Sequence, residues 1–443
     1  MDSLRDTYIL KRTEILIVLA NDKEAKGFNK ALANEGIVIG KSIDIDGAMI
    51  FPFISNGYHM CYFVSNRIGS GVRTALETVA SKFQNLNYIV NLGCCATKKE
   101  CVENDVIYAE CIFDAELRKE EEVKTIYYCS VNRHLHSGNN IKIFLNGLDN
   151  KEYKIIYGPI ISSSAVVKEN ETKTKYLEAY PTAEGIEMEG VNLSEYALAQ
   201  KIEWILIKGT SDNCSNKKGG AGQEKVTTYA SNLFFELIKN NVLKKMKPAI
   251  FIGGAVAPDY EFNHVEEYKN VEQQSYELGK AVYCKNFKII NGLGVCVGTS
   301  LVASAYDYCF GGSGNEIADC IETFPFPRRI GKPVNELYRA HRKRMIDKST
   351  IALFIFGDGT KKGKNNGMFD EYEEARACLL PRLVIPSKGY YSEELFNQWT
   401  YDAFGEKAIK ECKKIKISNS FRKNISIALK AINEMDLYFY SNK

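Results

Sequence analysis

The sequence predicts an α/β protein of two domains, and three observations lead to this prediction. The chain has 443 residues, more than one hydrophobic core of ordinary size accommodates. Each half alternates short apolar runs, typical of buried parallel strands, with stretches of helical periodicity. The polar segment 240–247 separates the halves, and the pattern of strand and glycine turn starts again at residues 249–255. We therefore expect one domain over residues 1–247 and a second over residues 248–443.

The composition excludes several classes of protein. Hydrophobic residues make up 45% of the chain and charged residues 26%, which is ordinary for a soluble globular protein, and the net charge of +3 gives no electrostatic reason to expect a nucleic-acid partner. The 13 cysteines show no CxxC spacing, which predicts reduced thiols and neither a disulfide framework nor a zinc site. No cofactor is expected. Because no apolar run could cross a membrane and residues 1–13 lack a signal-peptide core, we expect a cytoplasmic protein without a membrane partner.

The first half predicts a sheet whose carboxyl edge carries polar side chains. Strands are expected at residues 14–20, 60–65, 88–93, 104–113, 155–161 and 204–212, and helices at residues 23–33, 72–83 and 223–240. Glu24 begins the first of these helices, at the edge where open α/β sheets bind their ligands. Arg67 precedes the turn Gly69-Ser70-Gly71, which is either an anion site or a simple tight turn before a helix. His134 and His136 lie in a polar, irregular segment and are interpreted as surface residues.

The most informative stretch is Glu187-Met188-Glu189-Gly190, followed by an apolar strand that ends in Ser211-Asp212. Cleavage of a nucleoside passes through a ribosyl cation, which is stabilised by an anion at the sugar hydroxyls, an apolar face against the sugar and an acid for the departing base. Glu189, Met188 and Asp212 could supply these three functions. In the alternative interpretation, Glu187 and Glu189 cap the helix that begins near Gly190, and Asp212 is a loop residue.

Residues of about 14 to 240 resemble the nucleoside phosphorylase / methylthioadenosine nucleosidase superfamily. The shared features, in chain order, are Glu24, Gly69-Ser70-Gly71, Asn91-Leu92-Gly93, Asn104-Asp105-Val106, Glu187-Met188-Glu189 and Ser211-Asp212. The resemblance implies a three-layer α/β/α domain that forms homo-oligomers. It also implies that Asp212 protonates the purine N7, that Glu189 binds the ribose hydroxyls above Met188, and that Glu24 activates water. We expect the other substrate-binding positions to be Glu187, Ser211, Gly93, Asn91 and Arg67.

Charge distinguishes hydrolysis from phosphorolysis within this superfamily. Phosphorylases typically place an arginine before the glycine of the third strand and a hydroxyl after it, whereas this chain has Asn91 and Cys94 near those places. Hydrolysis is therefore expected. Arg67 departs from this pattern, because it could bind a phosphate. That phosphate could be inorganic phosphate or part of a nucleotide substrate.

The second half predicts a Rossmann-like sheet with a nucleotide pocket at its carboxyl edge. One glycine turn holds Gly253 and Gly254, and a second runs from Gly292 to Thr299 and Ser300. The segment 335–345 is a basic helix that carries Arg342, which is either a phosphate ligand or part of a solvated face. A helix that begins near residue 367 bears Glu371 and Glu374.

Residues of about 248 to 435 resemble the SLOG superfamily, which includes nucleotide sensors and the Lonely-Guy phosphoribohydrolases. The match is closest to the sensor domain of Thoeris-type antiphage effectors, on Gly253-Gly254, residues 342–345, the strand that ends at Gly357 and the glutamates that follow. The resemblance implies binding of a cyclic ADP-ribose type molecule, with a phosphate on Arg342 and a hydroxyl or base edge on Glu371 or Glu374. The insert at residues 360–366 interrupts the motif of the hydrolases, which favours sensing over catalysis in this domain.

Together the halves predict an antiphage effector. In this hypothesis a purine N-glycosidase hydrolyses an adenine nucleotide, with ATP favoured, when the SLOG-like domain binds a cyclic ADP-ribose-type messenger made by a partner TIR-type enzyme. Three alternatives remain open: an effector that cleaves NAD, a salvage nucleosidase for methylthioadenosine or S-adenosylhomocysteine, and a sensor without catalytic activity.

Overall fold

The computed structural model divides the chain into two compact units. The N-terminal unit comprises Thr13–Met246 and Tyr440–Lys443, and the C-terminal unit comprises Met1–Arg12 and Lys247–Phe439. The described residues are 3–67, 69–97, 105–116, 118–120, 125–127, 131–133, 138–149, 152–164, 170–212, 222–326, 334–361, 366–401 and 404–441. Among the described helices, none combines the length and the apolar character needed to cross a membrane.

The first helix of the chain, α1 (Leu4–Arg12), belongs to the C-terminal unit rather than to the predicted domain 1–247. Polar contacts within that unit account for this. Tyr8 donates a hydrogen bond to Asp436, Arg12 pairs with the same carboxylate at 3.3 Å, and Lys11 donates to the carbonyl of Asp347 at 2.7 Å. A boundary drawn on composition could not detect these contacts, because their partners lie more than 300 residues further along the chain.

The N-terminal unit alternates strands with helices. Its strands are β1 (Ile15–Leu19), β2 (Ile43–Ile45), β3 (Ala48–Ser55), β4 (Tyr58–Val64), β5 (Tyr88–Thr97), β6 (Val106–Asp114), β7 (Arg118–Glu120), β8 (Thr125–Tyr127), β9 (Val131–Arg133), β10 (Ile155–Ser162), β11 (Gly185–Glu187) and β12 (Glu203–Asp212). Its helices are α2 (Asp22–Asn34), α3 (Ser70–Ala80), α4 (Gly138–Asn146), α5 (Asn170–Ala179), α6 (Gly190–Ala199) and α7 (Gln223–Lys239).

The main sheet of this unit places its site-bearing strands at the centre. The strand order is β11-β10-β6-β12-β5-β1-β4-β3-β2, with β9 paired to β6, and β11 also pairs with β5. Strands β1, β5 and β12 run parallel to one another, so their carboxyl ends lie at one edge of the sheet. Gly93 lies in the carboxyl half of β5, Ser211 lies near the end of β12, and Glu24 lies in the first turn of α2, which follows β1, so all three are at the same edge of the sheet.

Helices cover both faces of this sheet, which confirms the predicted three layers. Ile205 and Ile207 share a hydrophobic core with Phe28 of α2 and Leu233 of α7. Successive side chains on a strand point to opposite faces. Leu206 accordingly lies on the other face, where a Cβ atom at Gly190, the first residue of α6, would be 3.0 Å from its Cδ2.

The C-terminal unit is a five-stranded parallel sheet with helices between the strands. Its strands are β13 (Ala249–Gly253), β14 (Lys288–Asn291), β15 (Ile321–Thr323), β16 (Ile351–Ile355) and β17 (Arg382–Ile385). Its further helices are α8 (Tyr260–Asn263), α9 (Val265–Cys284), α10 (Val297–Tyr308), α11 (Ile317–Cys320), α12 (Val334–Asp347), α13 (Gly367–Ala377), α14 (Tyr391–Gln398), α15 (Glu406–Cys412) and α16 (Phe421–Phe439), with a π-helical turn at Cys309–Ser313.

The strand order β15-β14-β13-β16-β17 confirms the Rossmann-like prediction. The order reverses between β14 and β16, on either side of the first strand, β13. In such folds the crevice at the carboxyl ends of these strands is the usual ligand site.

Candidate active site and ligand pocket

Glu24 is held in the interior at the start of α2. Asn21 caps this helix, because its side chain accepts hydrogen bonds from the backbone amides of Lys23 and Glu24. The Glu24 carboxylate turns inward, where its two oxygens accept from the amides of Ala20 at 2.7 Å and Cys94 at 3.1 Å. Burial raises the pKa of this carboxyl group above its ordinary value, while the nearby Lys208 and the two amides oppose the rise.

Gly93 makes this position possible for Glu24. A Cβ atom at residue 93 would lie 2.7 Å from Cδ of Glu24, closer than packed carbon atoms approach. Only glycine therefore allows β5 to pass directly beside the carboxylate. The structure thus brings together two residues that the sequence placed 69 positions apart.

Lys208 is a residue of this site that the sequence did not predict. Its ammonium group is fully buried, donates to Oε2 of Glu189 at 2.9 Å and lies 3.6 Å from Oε2 of Glu187. Burial alone would lower the pKa of this lysine, but Glu189, Glu187 and Glu24 together raise it above the ordinary value. Lys208 is therefore a permanent cation inside the unit.

Glu187 and Glu189 have different surroundings, although they are two residues apart. Glu187 accepts hydrogen bonds from the backbone amides of Glu189 at 2.9 Å and Gly190 at 2.9 Å, which are free donors at the start of α6. Burial raises the pKa of Glu187, and Lys208 opposes this rise. The capping alternative thus describes Glu187, whereas Glu189 pairs with Lys208.

Four residues form one electrostatic cluster: Glu24, Glu187, Glu189 and Lys208. We call it the acidic cluster. Lys208 and Glu189 both act on the charge of Glu24. Such a cluster can hold a carboxylate ready to accept a proton from water and a second carboxylate ready to bind hydroxyl groups. Cys94 borders it, with Sγ 3.6 Å from Oε1 of Glu24, and burial beside Glu24 raises the pKa of this thiol to about 12, so it stays protonated.

The remaining predicted residues of this site are placed as follows. Asn91 is fully buried within β5, where its Nδ2 donates to the carbonyl of Val18 at 2.9 Å, and its Oδ1 has no partner among the described residues. Ser211 donates to the carbonyl of Cys95 at 3.3 Å. Arg67 is exposed, and Met188 is half-buried between the two glutamates. The backbone of Asp212 ends β12 opposite Ala96, but its side chain lies outside the described part of the chain, as do Asn104, His134 and His136.

The C-terminal unit has a cavity of about 450 Å³ at the carboxyl edge of its sheet. It lies at the point where the strand order reverses, which is where the fold predicts a ligand. The lining includes Gly253, Gly254, Asn291, Gly292, Phe326, Tyr338, Arg342, Gly357, Asp358, Asn366 and Glu371. The volume falls within the range of small-molecule sites.

Arg342 and Glu371 are two of the charged residues that line this cavity, together with Asp358 and Lys361. The guanidinium of Arg342 pairs with Asp370 at 3.0 Å and lies 5.6 Å from the ring centre of Phe326. Its Nε is buried without a hydrogen-bond partner among the described residues. Burial raises the pKa of Glu371 to about 7, although Arg342 opposes this rise. The cavity therefore offers a cation with a free donor and a carboxyl group that can donate or accept a proton near neutral pH.

Three predicted residues of the second site lie away from this cavity. The hydroxyls of Thr299 and Ser300 donate to the carbonyl of Cys296, because both residues belong to the first turn of α10 rather than to the loop before it. Glu374 lies one helical turn beyond Glu371 and is 3.9 Å from Nε of Arg339. These three are not among the residues that line the cavity. Gly254 does line it, and a Cβ atom there would lie 3.0 Å from Cγ1 of Ile355.

Comparison with protein families identifies the C-terminal part. Residues 234–433 match the family described as STALD, the Sir2- and TIR-associating SLOG family. The C-terminal part of the chain is therefore a SLOG domain, as the sequence predicted.

Comparison with curated proteins gives relatives that this chain matches over a part of their length. The NAD(+) hydrolase ThsA of Bacillus cereus is 27% identical over 167 residues, which are 36% of this chain and 33% of that protein. The ThsA of Acinetobacter baumannii is 29% identical over 28% of each chain. The death domain-containing ATP nucleosidase of Amphimedon queenslandica is 36% identical over 80 residues, which are 18% of this chain and 15% of that protein. The chain thus spans about a third or less of these relatives.

Solved structures with a similar backbone include methylthioadenosine/S-adenosylhomocysteine nucleosidases. The enzyme of Colwellia psychrerythraea is 16% identical with a TM-score of 0.44 and covers 52% of this chain and 96% of its own. The enzyme of Helicobacter pylori is 16% identical with a TM-score of 0.43 and covers 52% of this chain and 99% of its own.

Proposed function

We propose that this SLOG-domain protein is an antiphage effector that hydrolyses the N-glycosidic bond of an adenine nucleotide when its SLOG domain binds a nucleotide messenger. The observation that carries the proposal is the acidic cluster, in which Lys208 holds Glu189 at 2.9 Å and acts on the charge of Glu24. Glu24 is the proposed base for water, Glu189 the proposed ligand of the ribose hydroxyls, and Asp212 the proposed acid for the base.

The charge of the cluster favours water over phosphate as the nucleophile. Glu189 lies against Lys208 at 2.9 Å and Glu187 at 3.6 Å, so this buried cation is already paired. A phosphate dianion beside Glu24 would be repelled by the Glu24 carboxylate, and the cluster has no unpaired cation to offset this repulsion. A water molecule carries no such cost, and the Glu24 carboxylate can accept its proton.

The cavity of the SLOG domain supports the activation step. Arg342 supplies a cation with a free donor for a phosphate group, and Glu371 can bind a ribose hydroxyl or a base edge. A cyclic ADP-ribose-type ligand presents all of these groups. The family description names TIR-associating proteins, which supports a TIR-type enzyme as the source of the messenger.

The substrate is proposed to be ATP, with NAD as the second candidate. One relative carries the name ATP nucleosidase, whereas four carry the name NAD(+) hydrolase. The acidic cluster fits either substrate, because both contain an N-glycosidic bond to a ribose. A salvage nucleosidase with an appended sensor is distinguished from both by its substrates.

The test is a product analysis with the full chain. ATP, NAD and methylthioadenosine are each incubated with and without cyclic ADP-ribose isomers, and the products are separated by chromatography with mass detection. Messenger-dependent release of adenine from ATP is the expected result. Nicotinamide from NAD would select the second candidate, adenine from methylthioadenosine alone would select the salvage enzyme, and no cleavage under any condition would leave only a sensor.

One variant and one added reagent sharpen this test. Asp212→Asn should lower turnover by about 10²- to 10⁴-fold, the usual contribution of a general acid, without unfolding the protein. Inorganic phosphate should leave the product a free sugar, and a sugar 1-phosphate would overturn the hydrolytic assignment.

The activation step has its own matched pair of variants on α12. Arg342→Ala should abolish stimulation by the messenger, whereas Lys343→Ala, which removes an exposed cation one residue further on, should retain it. Equal stimulation of both variants would remove Arg342 from the site.

A further inference from the structure

Two cysteines of the C-terminal unit lie in direct contact, outside both sites described above. Cys309 begins the π-helical turn after α10, and Cys320 ends α11 immediately before β15. Their sulfur atoms are 3.5 Å apart. Cys309 is partly exposed and Cys320 is buried, so one of the two thiols is accessible to a reagent and the other is not.

A cation lies next to the buried thiol. Nζ of Lys247 is 3.7 Å from Sγ of Cys320 and 2.7 Å from Oδ1 of Asn315, a residue of the segment between the two cysteines. A neighbouring ammonium stabilises a thiolate and so promotes attack by sulfur. Burial and the neighbouring Cys309 nevertheless raise the pKa of Cys320 to about 11. The Cys320 thiol is therefore expected to react only after the Cys309 sulfur has been oxidised.

The segment between the cysteines can accommodate a covalent bond. A disulfide needs the sulfurs to approach to about 2.05 Å, a movement of about 1.5 Å. The intervening segment holds Gly311, Gly312 and Gly314, and a Cβ atom at any of the three would meet nothing within 4 Å. The glycine positions therefore leave space around the polypeptide where the movement is needed. Neither cysteine is among the residues that line the ligand cavity.

We propose that Cys309 and Cys320 are a redox modification site that forms a reversible disulfide on exposure to hydrogen peroxide. The exposed Cys309 sulfur attacks the peroxide, the O–O bond breaks, and a sulfenic acid and one water form. The Cys320 sulfur then attacks Cys309, the S–O bond breaks, and the oxygen leaves as a second water with the proton of Cys320. The two thiols lose two electrons, which reduce the peroxide to two waters, and a dithiol reagent reverses the reaction by exchange.

The positions of Lys, Arg and Glu make the product easy to detect. No Lys or Arg lies between residues 289 and 327, so one tryptic peptide contains Cys296, Cys309 and Cys320. After denaturation and alkylation with N-ethylmaleimide, the reduced peptide carries three labels and the disulfide form carries one. Cleavage after Glu316 separates Cys309 from Cys320, and the fragments stay joined only if the disulfide is present.

The experiment exposes the reduced full chain to hydrogen peroxide for increasing times before alkylation. The expected result is a single-label peptide that accumulates with time, remains joined after cleavage at Glu316 and disappears after dithiothreitol. Cys378→Ser is the matched control, because Cys378 is also partly exposed but has carboxylates at 3.7 and 3.9 Å instead of a second sulfur. This variant should form the disulfide at the wild-type rate.

Lys247→Gln tests the second step and should slow formation of the disulfide several-fold. The proposal is overturned if the wild-type peptide keeps three labels or if Cys309 accumulates as sulfinic acid. It is also overturned if Cys309 forms its disulfide with a cysteine other than Cys320. These outcomes are read on the wild-type chain, so they do not depend on the folding of a variant or on the proposed nucleosidase activity.

Discussion

Replacement of Lys208 by methionine is the sharpest test of the acidic cluster. The substitution retains most of the side-chain volume but removes the cation that lies 2.9 Å from Glu189 and 3.6 Å from Glu187. Removal of one partner from a buried ion pair costs about 3–5 kcal/mol, because the remaining charge is left without compensation. We expect the free energy of unfolding of the N-terminal unit to fall by that amount, and activity to fall with it.

The assay is urea unfolding followed by tryptophan fluorescence. The chain has two tryptophans, and Trp204 is fully buried in β12, four residues before Lys208. In a Trp399→Phe background, the fluorescence therefore comes from Trp204 and follows unfolding of the N-terminal unit alone. Arg73→Met is the control in the same unit, because its side chain is 45% exposed and its ion pairs with Glu77 and Glu195 should contribute less than about 1 kcal/mol.

A second substitution separates charge from packing. In a Lys208→Met background, Glu189→Gln should recover part of the lost free energy of unfolding, since it removes one uncompensated carboxylate. Lys208 does not compensate the buried carboxylates if Lys208→Met costs no more than Arg73→Met, or if Glu189→Gln makes the lysine variant still less stable.

Three further outcomes are expected. Glu24→Gln should lower base release by about 10²- to 10⁴-fold while the circular dichroism spectrum stays that of the wild type, and unchanged release would exclude Glu24 as the base. Gly93→Ala should displace Glu24 and cost about 1–3 kcal/mol of stability as well as activity, whereas Gly222→Ala, at the N-cap of α7 with nothing within 4 Å of its Cβ, should cost less than about 1 kcal/mol and leave activity unchanged. The pKa of Glu371 is about 7 in the folded state and 4.5 in the unfolded state, so between these pH values the folded state retains a proton that the unfolded state loses. The stability that protonated Glu371 contributes is therefore fully present below pH 4.5 and is lost as the pH rises to 7. The melting temperature of the C-terminal unit should therefore depend less on pH between 5 and 8 in Glu371→Gln than in the wild type, and identical profiles would show that this carboxyl group does not titrate there.

The sequence predicted the sheets and their glycine turns because both depend on local patterns. Apolar runs predicted β1, β5, β12, β13 and β16, and glycines after β13 and β14 predicted the edge at which the cavity lies. Such patterns repeat over a few residues, so one sequence is enough to recognise them. The SLOG domain was predicted on the same features.

Residue roles within the sites depended on contacts that the sequence does not contain. A lysine in a strand usually reaches solvent, so the sequence does not predict a buried Lys208, although the four apolar residues before it indicate a buried strand. Glu187 and Glu189 could not be told apart, because only the folded chain shows that Glu187 meets the amides that open α6. The sequence predicts a loop at Thr299, because no capping side chain marks the start of α10.

The path of the chain between the two units limits how the protein can be dissected. A fragment that ends at residue 247 would lack Tyr440, whose hydroxyl is 3.0 Å from Oγ1 of Thr13 and whose ring lies edge-on to His59. A fragment that begins at residue 248 would lack α1 and leave Asp436 without Tyr8 and Arg12. Isolated halves intended for crystallography or ligand titration should instead join residues 13–246 to 440–443 through a linker and supply residues 1–12 to the other half as a fused or added peptide.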